Sequence, residues 1–189
     1  MRKKSDQTRR KIVEAAYYLF YRKGFVRVNL DEVAARAGIT KRTLYSYFRS
    51  KDDLLAAALL HYSALDLERL RVIGARMPPA RGAKIDSFFG QLVEWAGTPR
   101  WIGSGFTRLA VELADLPGHP ARAIGRRAKL STEHWLAGLL KEEKVKQSNA
   151  RAREIMLLME GAMVLMLIHG DRSYGQAAAQ AAKRLLKSR

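Results

Sequence analysis

The sequence has 189 residues, of which 35 are Lys or Arg and 18 are Asp or Glu, so its formal net charge is +17 at pH 7. With 48% hydrophobic residues it can bury a core in one domain or two small ones, which excludes a wholly disordered chain. It contains no cysteine, which excludes disulfide scaffolds, thiol catalysis and cysteine-ligated zinc. The charge makes polyanions the first partners to consider, with nucleic acid ahead of an anionic membrane.

No segment of the sequence is typical of a membrane anchor. The longest apolar stretch, residues 155–168, contains Glu160 and is shorter than the about 20 residues that a bilayer-spanning helix needs. The basic amino terminus is followed by no signal-peptide core, because Glu14 and two tyrosines interrupt the apolar residues. We therefore predict a cytoplasmic protein with no membrane association and a buried helix at 155–168.

The positive charge is concentrated near the amino terminus. Residues 1–51 contain 14 Lys or Arg against 4 Asp or Glu, a net charge of +10, whereas residues 52–189 contain 21 against 14, a net charge of +7. A run of charge is usually only a solvated surface, so charge alone leaves nucleic-acid binding open. The residue pattern has to decide between these two interpretations.

Two helices are predicted in the first 37 residues. Apolar residues between positions 12 and 20 recur at i, i+3, i+4, i+7 and i+8, which predicts a helix over about 6–23 with one buried stripe. Gly24 follows, where a helix commonly ends in a left-handed residue. Asn29 and Glu32 form a capping-box pattern, and a second helix of about two turns ends before Gly38.

The next residues have the pattern of a helix-turn-helix. Only residues 38–40, Gly-Ile-Thr, separate the second helix from a third, which the hydroxyl of Thr40 can cap. Leu44 and Phe48 are spaced i, i+4, so both are expected to face the first two helices. Ser50 then opens another capping box and a fourth helix.

The remaining side chains of the third helix are predicted to point outward. They are Lys41, Arg42, Thr43, Tyr45, Ser46 and Tyr47. No acidic residue lies between Glu32 and Asp52, whereas a solvated surface helix would normally include some. The pattern therefore favours a helix that contacts phosphate.

The predicted DNA contacts divide into base readers and phosphate holders. Lys41 and Arg42 are candidates for guanine O6 and N7, and Tyr45 and Ser46 for base edges or the thymine methyl group. The predicted phosphate holders are Thr40, Thr43, Tyr47 and Lys51. The remaining predicted contacts are Asn29, Lys3, Lys4, Arg9 and Arg10. The basic amino-terminal arm could reach an adjacent minor groove or backbone, or could equally be a disordered tail.

These residues resemble the tetracycline repressor (TetR) family of bacterial transcription regulators. The resemblance covers about residues 8–55 and depends chiefly on the pattern A-G-I-T-x-x-T-L-Y-x-Y-F-x-S-K at residues 37–51. The family often has Thr-Thr before the second helix and glycine at the position of Arg42, whereas this chain has Val28-Asn29 and Arg42. Because Arg42 adds a long donor to the groove, base preference is not transferred from relatives.

The rest of the chain continues with helical periodicity. The fourth helix is predicted to end at Met77-Pro78-Pro79, and further helices are predicted over about 83–96, 104–115, 120–144, 150–169 and 173–187. No segment alternates with period two, so we predict an all-α fold. We expect a three-helix DNA-binding domain at residues 1–51 and a helical effector-binding and dimerisation domain at residues 52–189.

The helix predicted at 150–169 is apolar nearly all round, which indicates that a second surface covers it. Resemblance to the family implies that the last two helices pack against their two-fold mates in a homodimer, which would place two recognition helices on a pseudo-palindrome. The candidate interface residues are Met156, Met159, Gly161, Ala162, Met163 and Met166. Packing in the protein's own core is the alternative for the methionines.

The resemblance also implies a small-molecule pocket among helices four to eight. The candidate lining residues are Phe88, Phe89, Trp95, Trp101, Phe106 and Trp135, with Arg108, Glu112 and His134 as polar anchors. The aromatic residues could instead be ordinary core, Arg108 and Glu112 could pair as i, i+4 neighbours, and His134 could be exposed. The four histidines have no close ligand spacing, so no metal and no cofactor are predicted.

The leading hypothesis is a dimeric regulator, most simply a repressor, that binds an operator in double-stranded DNA and is released by a small-molecule effector of unknown identity. The sequence contains no nucleophile elbow, phosphate-binding glycine loop or zinc-protease motif, so no enzyme is predicted. The alternative hypothesis is a dimer without an effector that coats nucleic acid non-specifically through its charge.

Overall fold

The computed structural model describes residues 2–76, 83–99 and 101–187, with side chains from residue 5 onward. Within these ranges the chain forms nine α-helices and no β-strand, which confirms the all-α prediction. The helices are α1 (Arg2–Lys23), α2 (Leu30–Ala37), α3 (Lys41–Tyr47), α4 (Lys51–Arg76), α5 (Ala83–Ala96), α6 (Gly105–Glu112), α7 (Pro120–Glu142), α8 (Ser148–His169) and α9 (Ser173–Lys187).

Most helix ends agree with the sequence prediction. α1 begins at Arg2 rather than near residue 6, so the backbone of the basic arm is helical from Arg2 onward. Two other differences have local causes. α6 ends at Glu112 rather than near 115, because the backbone of Ala114 and Leu116 turns to i→i+3 hydrogen bonds. α7 ends at Glu142 rather than near 144, and Lys144 has a left-handed φ of 56° that no helix can continue through. The predicted end of the fourth helix at residues 77–79 lies outside the described residues.

The chain divides into two compact units. The first comprises Met1–Leu65 and Gly105–Ala128, and the second comprises Asp66–Ser104 and Lys129–Arg189. α4 and α7 each contribute residues to both units. The first unit therefore includes α6 and the start of α7 in addition to α1, α2, α3 and the first part of α4. The functional domain boundary expected after residue 51 stays a prediction.

The core of the first unit is built from the apolar stripes of α1 to α4 together with α6 and the start of α7. Ile12, Leu44 and Leu54 have no exposed surface, and Phe48 is almost completely buried. Burial of a Leu or Phe side chain is worth about 1.5–3 kcal/mol, so this apolar contact dominates the placement of the short α3.

The second unit has its own core, in which α8 and α9 pack together and α5 packs against α9. Gly175 of α9 permits this close approach, because a Cβ atom there would collide with Cγ2 of Val93 and lie 3.1 Å from Sδ of Met166. In the described part of the chain, no helix combines the length and the apolar composition that a membrane span requires.

Candidate nucleic-acid interface

The turn between α2 and α3 has the conformation that the sequence predicts. Gly38 is left-handed, with φ 68° and ψ 38°, and its amide donates back to the end of α2. Ile39 donates its amide to the oxygen of Ala34 over 3.0 Å, and its side chain packs against the core of the first unit. These contacts close α2 and direct the chain into α3 within three residues.

α3 is capped at its start and held from beneath. The hydroxyl oxygen of Thr40 accepts from the amide of Thr43 over 3.1 Å, which satisfies one free donor of the first turn. Leu44 and Phe48 are buried in the core, as their i, i+4 spacing predicts. Since α3 has only two turns, these anchors decide which of its sides stays exposed.

The exposed side of α3 carries Lys41, Arg42, Tyr45 and Ser46, which we call the α3 polar face. Arg42 has no hydrogen bond or ion pair within the described residues. Tyr45 is 48% exposed, and the hydroxyl of Ser46 donates to the oxygen of Thr43 over 2.7 Å. These four are the residues that we predict to read bases.

Two side chains that the sequence predicts to point outward are only half-exposed. Tyr47 packs against the core of the first unit, and its hydroxyl lies 3.3 Å from the hydroxyl oxygen of Ser5. Thr43 is also half-buried, and its hydroxyl lies 2.9 Å from that of Thr40. Both positions lie beside the stripe defined by Leu44, where the helical surface turns toward the core. Since the Tyr47 ring packs against the core, its hydroxyl is the group that can bind a phosphate.

Lys41 is paired to an acidic residue that the sequence analysis did not place in the interface. Its ammonium nitrogen donates to Oδ2 of Asp31 on α2 over 2.9 Å. The hydrogen bond and the charge of Asp31 raise the pKa of Lys41 above its ordinary value. Asp31 lies ten residues earlier in the chain, so no local spacing rule indicates the pair.

Lys51 stands at the first residue of α4, and only part of its side chain is accessible. The ammonium donates to the oxygen of Val26 over 3.2 Å and lies 4.4 Å from the centre of the Phe25 ring. Burial lowers the pKa of Lys51, while the charges of Glu112 and Asp52 oppose that shift. The predicted phosphate holder is therefore anchored to the turn between α1 and α2.

The other predicted contacts have mixed surroundings. Asn29 caps α2 by accepting from the amide of Glu32 over 2.9 Å, which is its capping-box role. The Arg9 guanidinium lies 5.2 Å from the centre of the Phe48 ring, and Arg10 pairs with Glu14 at 2.7 Å. Both arginines are exposed on α1. The side chains of Lys3 and Lys4 lie outside the described residues.

Taken together, a left-handed glycine turn, a capped short helix anchored by two apolar side chains, and an exposed cationic and hydroxyl face define a helix-turn-helix of the DNA-binding class. Residues 12–58 match the model of a family described as bacterial regulatory proteins, tetR family. This match spans about a quarter of the chain and contains its helix-turn-helix, so this segment is similar to the DNA-binding segment of that family.

The proteins that resemble this chain include regulators matched by sequence and regulators matched by structure. The transcriptional regulator TtgR of Pseudomonas putida is 36% identical over 58 residues, which are 31% of this chain and 28% of TtgR. The first curated relatives are matched over only 24–28% of their length. Solved structures of similar fold include two that cover nearly the whole chain. A TetR-type regulator of Streptomyces avermitilis is 27% identical and has a TM-score of 0.75, covering 93% of this chain and 98% of that one. The regulator SCO4454 of Streptomyces coelicolor is 22% identical with a TM-score of 0.84, covering 96% and 95%.

The residues predicted to line an effector pocket are divided between the two units. Phe106, Arg108 and Glu112 belong to the first unit, and the other six belong to the second. Arg108 and Glu112 do not pair with each other: Arg108 donates to the oxygen of Tyr21 over 2.8 Å, and Glu112 accepts two backbone amides. They line a cavity of about 30 Å³ in the first unit, which has room for ordered water but not for a drug-sized ligand.

In the second unit the predicted lining residues form two aromatic contacts. Phe88 lies 5.4 Å from Phe89 and 5.8 Å from Trp135, measured between ring centres, and Trp95 lies 6.2 Å from Trp101. The buried indole nitrogen of Trp101 has no hydrogen-bond partner among the residues that the structure describes. His134 is exposed, in agreement with the alternative to its prediction as a polar anchor of the pocket. Among the described residues no group of three or more His, Asp or Glu is arranged to hold a metal ion.

The methionine stripe on α8 requires a correction. Met156, Met159, Met163 and Met166, with Ala162, are buried in the core of their own second unit, so they do not form a surface for a second copy. Only Gly161 of the predicted interface set is exposed. Because α8 is apolar nearly all round from Ile155 onward, with Glu160 the exception, its sequence does not indicate which stripe faces its own core.

The opposite side of α8 is apolar and exposed, and we call it the outer α8 stripe. It consists of Leu157, Gly161, Val164, Leu165 and Ile168. These positions follow the i, i+4, i+7, i+8 and i+11 spacing of one helix face. A continuous apolar row of this kind is typical of a surface that another helix covers.

Proposed function

We propose that this protein is a sequence-specific DNA-binding transcription regulator that acts as a homodimer, in the form of a repressor whose operator affinity falls when a small molecule binds. The observation that carries the proposal is the α3 polar face. Two buried anchors on one side of a two-turn helix leave cations and hydroxyls on the other, and the helix follows a helix-turn-helix turn.

Within this proposal the residues of the face have different roles. Arg42 is the principal base reader, since its guanidinium has no partner within the described residues and its forked donors suit the O6 and N7 atoms of guanine. Tyr45 and Ser46 add contacts to neighbouring base edges. Lys41 exchanges its bond to Asp31 for one to DNA. Lys51 and the hydroxyls of Thr40 and Tyr47 hold phosphates and set the register.

The outer α8 stripe supports a dimer. A second copy of α8, packed on the same stripe about a two-fold axis, would remove Leu157 and Ile168 from water in both protomers. Two-fold symmetry then presents two α3 helices to half-sites spaced about 34 Å apart or somewhat more. The operator of such a dimer is a pseudo-palindrome.

The effector part of the proposal is supported by the repressor behaviour typical of the family. The aromatic side chains of the second unit, such as Phe88, Trp135 and Trp101, offer apolar contacts for a ligand. A ligand releases DNA only through its different affinities for the DNA-binding and non-binding forms. A hundredfold change in operator affinity needs about 2.7 kcal/mol of such difference.

The test is a footprint on DNA that flanks the protein's own coding region, followed by titration of the protected sequence and a scrambled sequence at several salt concentrations. We expect a protected pseudo-palindrome and a clear preference over scrambled DNA at each salt concentration. Equal affinity for both sequences, with a steep salt dependence and no footprint, would instead indicate non-specific coating of nucleic acid.

A single-residue variant sharpens this test. Arg42→Ala is expected to reduce discrimination at one base position by about 1–3 kcal/mol while non-specific affinity falls less. The matched control is Arg126→Ala, which removes the same charge from an exposed position on α7. If both variants lose affinity for all sequences alike, Arg42 holds phosphate and does not read bases.

A further inference from the structure

Glu112, at the end of α6, hydrogen-bonds through its carboxylate to the turn between α1 and α2. Its Oε2 accepts from the amide of Phe25 over 2.9 Å, and its Oε1 accepts from the amide of Val26 over 2.7 Å. The two partners lie 86 and 87 residues away in the sequence. Hydrogen bonds to a carboxylate are stronger than those between neutral groups, so this pair of bonds holds two consecutive backbone amides in one place.

The backbone at Gly24 leaves room for the carboxylate of Glu112. Gly24 has a φ of 90°, and a Cβ atom there would lie 3.0 Å from Oε1 of Glu112. A side chain at this position would therefore be strained and would press on the carboxylate. Arg108, one helical turn before Glu112, donates to the oxygen of Tyr21 over 2.8 Å. α6 thus binds both the last turn of α1 and the residues that follow it.

Lys51 rests on the same turn. Its ammonium donates to the oxygen of Val26 and lies over the ring of Phe25, which is buried in the core. An ammonium has three donors, so one bond to Val26 leaves donors for a DNA phosphate. The imidazole of His119 contacts Phe25 from another side, with its Nε2 atom 3.5 Å from Oδ1 of Asp52.

From this arrangement we infer that Glu112 is a positioning residue for DNA binding: by fixing the backbone of Phe25 and Val26, it holds the ammonium of Lys51 where it can bind a DNA phosphate. The inference rests on the proposed function, because it needs a protein that binds DNA. It assigns to α6, which contains none of the predicted DNA contacts, an influence on operator affinity that acts through Lys51.

The direction in which operator affinity changes when Glu112 loses its charge distinguishes a positioning role from simple charge repulsion of DNA. Removing a negative charge from a DNA-binding protein should strengthen its attraction to DNA. Glu112→Gln is nevertheless expected to weaken operator binding by about threefold or more, since a neutral amide holds the two backbone N–H groups less tightly. The matched control is Asp115→Asn, which removes the same charge from an exposed side chain with no partner within the described residues. It should leave affinity unchanged or slightly increased.

The decisive measurement is a double-mutant cycle with Lys51. In the wild type, Lys51→Ala is expected to lower the slope of log affinity against log salt by about 1 per half-site. Once Lys51 is absent, Glu112→Gln should change operator affinity by less than about twofold, because there is no ammonium left to position. A role of Glu112 in stability alone would lower the unfolding temperature without this coupling.

A second variant, Glu112→Asp, helps to distinguish the loss of positioning from a defect in folding. Glu112→Asp keeps the charge but is one methylene shorter, so it cannot reach both amides, and it should also weaken binding in a Lys51-dependent way. Circular dichroism establishes that each variant is folded at the assay temperature. The inference is overturned if folded Glu112→Gln or Glu112→Asp binds like the wild type, or if the loss is equal with and without Lys51. If the wild type shows no preference for any DNA sequence, the proposed function itself fails.

Discussion

The outer α8 stripe leads to a quantitative prediction about assembly. Leu157 is 70% exposed and Ile168 is 67% exposed in the single chain. Full burial of such a side chain is worth about 1.5–3 kcal/mol, so covering the exposed part contributes about 1–2 kcal/mol at each position. In a two-fold interface every residue occurs twice, which doubles the contribution to about 2–4 kcal/mol.

Leu157→Asp should therefore raise the dissociation constant of the dimer by at least about 30-fold, since each 1.4 kcal/mol corresponds to a factor of ten. The carboxylate adds a desolvation cost of its own at an apolar interface. Sedimentation velocity over a concentration series measures the constant directly. The same variant should lose operator affinity, because a monomer presents only one α3 polar face.

Leu116→Asp is the control. Leu116 is 49% exposed and lies in the turn that follows α6, so it undergoes the same chemical change away from the outer α8 stripe. Its dimerisation constant should match that of the wild type. Equal dissociation constants for Leu157→Asp and the wild type would mean that the outer α8 stripe is not the dimer interface.

Two further predictions concern charged groups. Asp31→Asn should release Lys41 and remove a negative charge beside the α3 polar face. Binding to all DNA should therefore become tighter, and the slope of log affinity against log salt should become steeper by up to about 1 per half-site. If a salt titration shows unchanged binding, the Lys41–Asp31 pair has no part in recognition. The carboxylate of Asp171 accepts from the amide and the hydroxyl of Ser173 at the start of α9, which lowers its pKa. Because only the ionised form accepts both bonds, its stabilisation is complete above the ordinary pKa of about 3.8 and is lost as pH falls through the lowered value. The difference in unfolding temperature between the wild type and Asp171→Ala should therefore disappear at low pH, and a pH-independent difference would contradict this assignment.

Much of the DNA-binding segment could be predicted because the rules that form it are local. Asn29 caps α2, Thr40 caps α3, and Gly38 turns left-handed, each within three residues of its partner. The i, i+4 spacing of Leu44 and Phe48 identified the buried side of α3 for the same reason. Helix-capping and periodicity depend on neighbours in the chain, so a sequence contains the information they need.

The partners of charged side chains could not be predicted in this way. Arg108 and Glu112 have the spacing of an i, i+4 ion pair, yet each binds the backbone near the end of α1. A free amide beyond a helix end competes well for a carboxylate, because leaving it without a partner costs about 1–3 kcal/mol. That competition exists only after α6 has packed beside α1.

The sequence by itself determined the all-α class, the helix-turn-helix and the side of α3 that is exposed, because caps and apolar spacing act over three or four residues. The tertiary structure decided which stripe of α8 is core and which is exposed, since a helix that is apolar nearly all round carries little directional signal. It also decided that Lys51 donates to the oxygen of Val26, whose amide donates to Glu112 of α6. Contacts between groups far apart in the chain arise from packing, which local spacing does not encode.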